Sequence, residues 1–332
     1  MSEKRILVTG ANGFVGRELC STLRNQGHAV RAAVRTRSVL DDASPLRSEG
    51  VSDEDVVEIG DIDGETDWSE ALDGVQVVVH LAGRAHRIQD KAKALSAYRV
   101  VNLDGTENLA RQAAKSGVGR VVFVSSIKVN GEQTHGRPFT ENDPPGPEDP
   151  YGITKWEAEQ VLAEASAATG LEVTILRPPL VHGPGVKGNL LRLMDGIRQG
   201  RTLPLGAVRN KRSMLGLENL CSALSLCVSH STTGTYLLAD AETISSRDLV
   251  RILAEGMNHK AKLFSVPVAW MEVAAKFAGR QSEFRRLTGS LEVDAGKIRD
   301  EMGWSPTKSL EDGLLDMARW YSHEGGLTHR CP

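Results

Sequence analysis

The feature that most narrows the fold stands at the start, where "RILVTGANGFVGREL" runs an apolar stretch, Ile6–Thr9, straight into Gly10, Gly13 and Gly16 and then into a helical pattern. A strand apolar at every position, with no in/out alternation, is buried on both faces, as in a parallel sheet covered by helices. The glycines have separate tasks in that setting. Gly10 permits the tight turn, Gly13 lets a diphosphate approach the backbone, and Gly16 allows close helix–strand packing. The helix N-terminus adds unpaired N–H groups and a partial positive charge. Together with Asn12, Phe14 and Val15 these residues are candidates for holding a dinucleotide.

The pattern repeats along the first half. Val30–Val34, Val56–Ile59, Val75–His80, Val121–Ser125 and Val173–Leu176 read as further strands, with helices over Phe14–Gln26, Lys93–Ser116 and Tyr151–Thr169. Strands alternating with helices predict a doubly wound α/β architecture of the Rossmann type. After Arg177 the texture changes. "RPPLVHGPGVKGN" is rich in Pro and Gly and reads as a loop, "GTYLLAD" (residues 234–240) as a returning strand, and the chain from Ser246 onward as mainly helical. The expected organisation is a dinucleotide-binding domain over 1–180, with that returning strand, and a smaller substrate lobe over 181–332.

Net charge is −3 with both signs interspersed, which argues against a nucleic-acid partner. No run of about 20 apolar residues exists, so membrane insertion is not expected. Without a leader-like start, the expected location is the cytoplasm. Cys20, Cys221, Cys227 and Cys331 show no ligand spacing and read as reduced structural thiols.

The end of the second strand selects the dinucleotide. An acid there suits the ribose hydroxyl of NAD, and arginine suits the 2′-phosphate of NADP. "VRAAVRTRS" offers Arg35 and Arg37, with no acid before Asp41, so NADP(H) is favoured and NAD(H) is the alternative. In "GDID", Asp61 and Ile62 either flank the adenine or form a capped turn.

Proton-transfer candidates come next. Ser125 and Ser126 end a strand at the carboxyl edge of the sheet, where such folds bind ligands. In "DPYGITK", Asp149 and Pro150 read as N-cap and first-turn residues of a helix that carries Tyr151 and, one turn on, Lys155. A phenol titrates near 10. The Lys155 ammonium is expected to favour its ionised form, and Ser126 to hold a substrate oxygen against it.

These motifs, with "HLAG" (residues 80–83) and Asn102 in "VNLDGTENL", resemble the extended short-chain dehydrogenases/reductases, in the nucleotide-sugar epimerase/dehydratase branch. The likeness runs over essentially the whole chain. It implies an enzyme with Ser126, Tyr151 and Lys155 as catalytic trio. Leu81, Ala82, Gly83, Asn102 and Pro178 would join the cofactor set, and Tyr151 and Lys155 would also touch the cofactor. Arg84, Ser126, Lys128, Asn189 and Arg212 would contact a UDP-sugar, and a homodimer would form through the helices at 93–116 and 151–169.

Departures from the pattern bear on the reaction. Ile127 and Lys128 stand where 4,6-dehydratases carry an Asp-Glu pair, which argues against dehydration. Asn130 replaces a Tyr, and Pro179 a substrate-binding Asn, of the UDP-galactose 4-epimerases. With Arg35 and Arg37, these departures favour a 4-ketoreductase of a UDP-4-keto-6-deoxy-N-acetylhexosamine in surface-polysaccharide synthesis. A UDP-hexose or UDP-N-acetylhexosamine 4-epimerase is the alternative, and a catalytically idle NADP(H) sensor is a third reading.

Overall fold

The computed structural model describes residues 3–37, 52–85, 91–277, 279 and 281–325. Seven strands form one sheet: β1 (Arg5–Thr9), β2 (Ala29–Val34), β3 (Val56–Glu58), β4 (Val77–His80), β5 (Arg120–Val124), β6 (Glu172–Arg177) and β9 (Gly234–Leu237). Their spatial order is β3-β2-β1-β4-β5-β6-β9, and every pairing is parallel. The winding reverses between β1 and β4, so the carboxyl ends of those strands diverge into the crevice that such sheets use for ligands.

Burial explains the apolar strands. Along β1, Ile6 and Val8 pack with Leu19, Leu23, Leu220 and Leu224 on one side of the sheet, while Leu7 packs with Trp68, Leu109, Phe123 and Leu162 on the other. A polar residue at any of these positions would lose its water on either face. Cys20, Cys221 and Cys227 are free and buried, and Cys331 lies outside the described residues.

The predicted helices are present, with one change. Helix α1 spans Phe14–Asn25 and α2 the single turn Ser69–Leu72. The stretch read as one helix over 93–116 is α3 (Lys91–Arg99), a wider π turn (Val100–Asp104) and α4 (Gly105–Lys115). A Cβ on Gly105 would lie 2.4 Å from Ile62 Cγ2, so glycine admits the Asp61–Ile62 loop against this helix. Helix α5 (Pro150–Thr169) starts as expected, with the Asp149 carboxylate accepting the Gly152 N–H at 2.8 Å, and ends at left-handed Gly170.

The "RPPLVHGPGVKGN" stretch is not wholly loop. Leu180–His182 forms β7, which pairs in parallel with β8 (Arg212–Gly216), and β10 (Thr243–Ile244) closes this second sheet of three strands. Helix α6 (Asn189–Arg198), α7 (Leu217–Ser229), α8 (Ser246–Gly256), α9 (Val268–Phe277), α10 (Gln281–Thr288), α11 (Gly296–Met302) and α12 (Leu310–Trp320) complete the chain. A third core of Met194, Met214, Leu253, Leu314 and Tyr321 binds the second sheet to these helices. Among the described residues no helix is long and apolar enough to cross a membrane.

Candidate active site

The glycine turn is tight, and the start of the helix behind it has no side-chain cap. Gly10 adopts φ +67° and lies under the Ala82 backbone, where an added Cβ would come within 3.0 Å of Ala82 N. Gly13 caps α1 without any side-chain hydrogen bond, and Asn12 stays exposed beside it. A Cβ on Gly16 would fall 2.3 Å from Gly10 O, so only glycine lets α1 start this close to β1. The first-turn N–H groups of α1 therefore point toward the crevice uncapped by any side chain. Phe14 and Val15 are half-buried against the core.

A buried polar chain fixes the neighbouring strand ends. Thr9 Oγ1 accepts the N–H groups of Leu81 and Ala82 (3.2 and 3.1 Å) and lies 2.7 Å from His80 Nδ1. With its lone pairs taken, the Thr9 hydroxyl donates to Nδ1, which places the imidazole proton on Nε2, 3.1 Å from Thr106 Oγ1. Thr106 donates in turn to the Asn102 carbonyl at 2.7 Å. Burial and then Lys155 hold the His80 pKa down at about 3, so the ring is neutral. Asn102, in the π turn, grips the Arg84 backbone through both its N–H (2.7 Å) and its carbonyl (3.2 Å), and donates to Thr154 Oγ1 at 3.1 Å.

Ser126 and Tyr151 converge at the same sheet edge. Ser126 follows β5 and caps a short 3-10 turn (Ile127–Val129), accepting the Lys128 N–H at 3.3 Å. The Tyr151 ring lies edge-on to Tyr98, 6.4 Å between centroids. Burial of its hydroxyl pushes the phenol pKa up to about 12, with Asp149 and Tyr98 adding to the rise and a hydrogen bond from Ser126 opposing it. The expected pull of Lys155 on the phenol is not among these influences. The ammonium instead donates to the Val124 carbonyl at 2.8 Å and lies 4.4 Å from the Phe123 ring centroid. Burial lowers its pKa to about 8, against an upward pull from Glu159. A Cβ on Gly83 would approach Asn102 Oδ1 and Lys155 Nζ at 3.2 and 3.4 Å, so Gly83, Asn102 and Lys155 share one corner.

Beneath the trio lies a network that sequence reading missed. Glu159, one turn after Lys155, is 2% exposed and takes a forked bond from Arg177 (3.0 and 2.5 Å) as well as the Ser125 hydroxyl. Arg177 also donates to Asn130 Oδ1 at 2.9 Å, and Asn130 donates to the Thr140 carbonyl. Asn130 therefore serves the scaffold, and its difference from the epimerase pattern carries less weight than the sequence suggests. Pro178 and Pro179 are buried, with the Pro178 carbonyl accepting the Ile127 N–H.

At the adenosine end, Arg35 reaches Asp61 (2.9 Å) with both side chains largely exposed, while the Arg37 guanidinium donates to the Val56 carbonyl at 2.8 Å. Asp61 is thus an ion-pair partner of Arg35 and its carbonyl accepts the Thr66 hydroxyl.

The sugar-side candidates divide. Arg212 is largely enclosed and donates to the Gly289 carbonyl at 3.1 Å. Burial lowers its pKa, offset by Glu132. Lys128 is bonded to Glu132 (2.9 Å) and Asp149, and Arg286, absent from the sequence reading, joins the same acids. Asn189 is exposed at the start of α6, and its carbonyl accepts from Arg192 at 2.8 Å. Arg84 turns its side chain to the Ala97 carbonyl. The structure thus gathers Lys128 and Arg212 with Arg286 around Glu132, and leaves Asn189 and Arg84 occupied locally.

A parallel sheet with a glycine cradle and a Ser–Tyr–Lys corner at one edge defines an extended short-chain dehydrogenase/reductase. The chain belongs to the NAD dependent epimerase/dehydratase family, whose model matches residues 6–239. It is 39% identical to the UDP-glucose 4-epimerase of Vibrio cholerae, over 95% of each chain. It is 27% identical to the N-acetyl-alpha-D-glucosaminyl-diphospho-ditrans,octacis-undecaprenol 4-epimerase of Escherichia coli O157:H7, over 93% of this chain and 92% of that one. The dTDP-glucose 4,6-dehydratase of Streptomyces venezuelae, solved with NAD bound, matches with TM-score 0.78 and 26% identity over 97% and 98%.

Proposed function

We propose that the chain moves a hydride at C4 of a UDP-sugar, with Ser126, Tyr151 and Lys155 managing the proton on the C4 oxygen. The observation that carries this reading is the hydrogen bond between the Ser126 and Tyr151 hydroxyls at the start of the helix that carries Lys155, on the sheet edge that also bears the uncapped glycine turn.

The residues present fit a dinucleotide. The turn at Gly10, Asn12, Gly13, Phe14, Val15 and Gly16 would take its diphosphate, because a Cβ at Gly13 or Gly16 would crowd Gly10 O. Arg35, Arg37, Asp61 and Ile62 would serve the adenosine end. Leu81, Ala82, Gly83, Asn102 and Pro178, with Tyr151 and Lys155, would serve the nicotinamide end. When bound, the dinucleotide supplies a hydride acceptor or donor. Of its two forms we favour NADP(H), because Arg35 can exchange Asp61 for a 2′-phosphate at little cost from an exposed pair; NAD in the solved relative supports the alternative.

The chain's own chemistry is proton handling. Tyr151, held neutral, gives its proton to the C4 oxygen as that oxygen gains charge, and recovers it in the reverse direction. Ser126 donates a hydrogen bond to the same oxygen. Lys155 keeps a positive charge in the corner at neutral pH, since its pKa of about 8 lies above it. On the sugar side, Arg212 and Lys128 offer cations to the diphosphate. The lobe from residue 181 supplies Arg212 and Asn189.

Two net reactions use this machinery. The 4-epimerase reading now stands first, supported by two relatives named as 4-epimerases that align along the whole chain. The 4-ketoreductase reading is supported by Arg35 and by a Tyr151 poised as an acid. Dehydration is disfavoured by Ile127, a buried apolar side chain where the reaction needs an acid. The intact trio weighs against a mere cofactor sensor. Denaturing the purified protein and identifying the released dinucleotide, then assaying NADPH oxidation with a 4-ketosugar nucleotide, separates the pair. Tightly retained NAD with interconversion of two C4 epimers favours epimerisation; stoichiometric NADPH oxidation favours reduction. Tyr151→Phe should lower turnover about 10²–10⁴-fold and leave dinucleotide affinity nearly unchanged; retained turnover would remove Tyr151 from its role.

A further inference from the structure

Among the described residues, six of the eight exposed large apolar side chains fall between Phe264 and Leu287. Three of them, Trp270 (75% exposed), Val273 (55%) and Phe277 (89%), stand three and four residues apart on α9 and share one face. The opposite side of α9 is anchored, since Met271 packs on the third core. Phe264 and Leu287 are exposed on segments of fixed backbone, Phe264 pairing with Leu203 and Gly206, and the Leu287 carbonyl accepting from Ser246 and Asn210. Solvent-facing aromatics at this density mark an interaction surface.

The charge around the patch identifies its occupant. Residues 260–287 carry six basic side chains (Lys260, Lys262, Lys276, Arg280, Arg285 and Arg286) against two acids (Glu272 and Glu283), a local +4 in a chain of −3. Lys260, Lys262, Lys276 and Arg285 are exposed. Two copies meeting through this face would set like charge against like charge. A helix showing Trp and Phe outward amid Lys and Arg is the composition that lies on an anionic bilayer, the rings at headgroup depth and the cations on the lipid charges. We infer that the α9 face docks this protein onto an anionic lipid surface, without spanning it.

The placement links the surface to the candidate sugar site. Helix α10 follows α9, Arg286 on it bonds Glu132, and the adjoining Gly289 carbonyl holds Arg212.

The test is co-sedimentation of the full chain with phosphatidylcholine vesicles containing about 30% phosphatidylglycerol, against vesicles of phosphatidylcholine alone. Binding to the anionic vesicles, released by salt and weakened about tenfold or more in both W270S/F277S and K276E/R285E, is expected. Unaltered melting and soluble-substrate turnover would show that the variants remain folded. The inference is overturned if the wild-type chain stays in the supernatant, or if W270S/F277S sediments like wild type. It is also overturned if the chain self-associates through this face instead, seen as a dimer that W270S/F277S dissociates. The sedimentation itself contains no substrate, so its outcome is independent of the sugar chemistry.

Discussion

Replacing Glu159 by glutamine tests whether the buried network under the trio sets both stability and the charge of Lys155. The substitution keeps shape and removes charge. It leaves the Arg177 guanidinium 4% exposed, still bonded to Asn130 and packed near the Trp156 ring, with no anion beside it. Breaking a buried pair from one side costs about 3–5 kcal/mol. The amide oxygen of glutamine still accepts one bond, worth about 1 kcal/mol. The net expectation is a loss of about 3 kcal/mol, read as a lower denaturant midpoint and a melting temperature reduced by about 4 °C for a chain of this size. Glu159 is also the one influence raising the Lys155 pKa, which stands at about 8. Without it the ammonium deprotonates at lower pH, so the alkaline limb of the kcat/KM profile moves toward acid. Adding Arg177→Met should recover most of the stability, because the orphaned charge is then gone, but not the pH limb. A Glu159→Gln enzyme with wild-type stability and an unmoved alkaline limb would refute both parts of the reasoning.

Three further outcomes are expected. Gly16→Ala sets a Cβ 2.3 Å from Gly10 O and 2.7 Å from Ala11 Cα, backbone atoms that cannot step aside; a loss of about 3 kcal/mol and of measurable dinucleotide binding by calorimetry is expected, and normal binding would reject the cradle. His80 stays neutral to about pH 3 when folded but takes a proton near 6.5 when unfolded, so the unfolded state binds more protons as pH falls. Stability present above pH 6.5 is therefore lost on acidification, by about 2 kcal/mol at pH 5, and His80→Gln should remove that portion of the slope in denaturant titrations. Arg35→Asp should shift the ratio of NADP(H) to NAD(H) affinity toward NAD(H) by about tenfold or more, and an unchanged ratio would withdraw the preference for NADP(H).

The sheet was legible because its strands, above all β1, β4 and β5, are near-continuous apolar runs set between helical stretches, a pattern that needs no tertiary information. The β7, β8 and β10 sheet was not. The three residues of β7, set in Pro- and Gly-rich sequence, and the two of β10 carry too little periodicity, and Leu180–His182 becomes a strand only because Met214–Gly216 pairs with it. The π turn was hidden for a similar reason, since the bonds its Asn102 makes to Arg84 and Thr154 span 18 and 52 residues. At the site, the spacing of Ser126 and Tyr151 could be read from a strand end and a helix start. The state of Lys155 could not, because the Val124 carbonyl and the Phe123 ring that hold it belong to a neighbouring strand. Arg286 was invisible because it reaches Glu132 across 154 residues. A lone arginine in a basic helix carries no such signal.

The polar chain through His80 explains why the separate motifs belong together. Each hydroxyl or ring in it has one remaining direction once its neighbour is set. The backbone amides of Leu81 and Ala82 fill the acceptor sites of Thr9, so Thr9 must donate to His80, His80 to Thr106, and Thr106 to the Asn102 carbonyl. That fixes the π turn, whose Asn102 amide then holds Arg84 on one side and Thr154, the residue before Lys155, on the other. The glycine turn after β1, the "HLAG" end of β4, the π turn and the start of α5 are thus one hydrogen-bonded unit with a single consistent proton arrangement. Breaking it at any member frees a buried donor or acceptor, at about 1–3 kcal/mol each. The unit therefore carries the alignment between the glycine turn and the Tyr151 corner, which neither motif could maintain from its own end of the sequence.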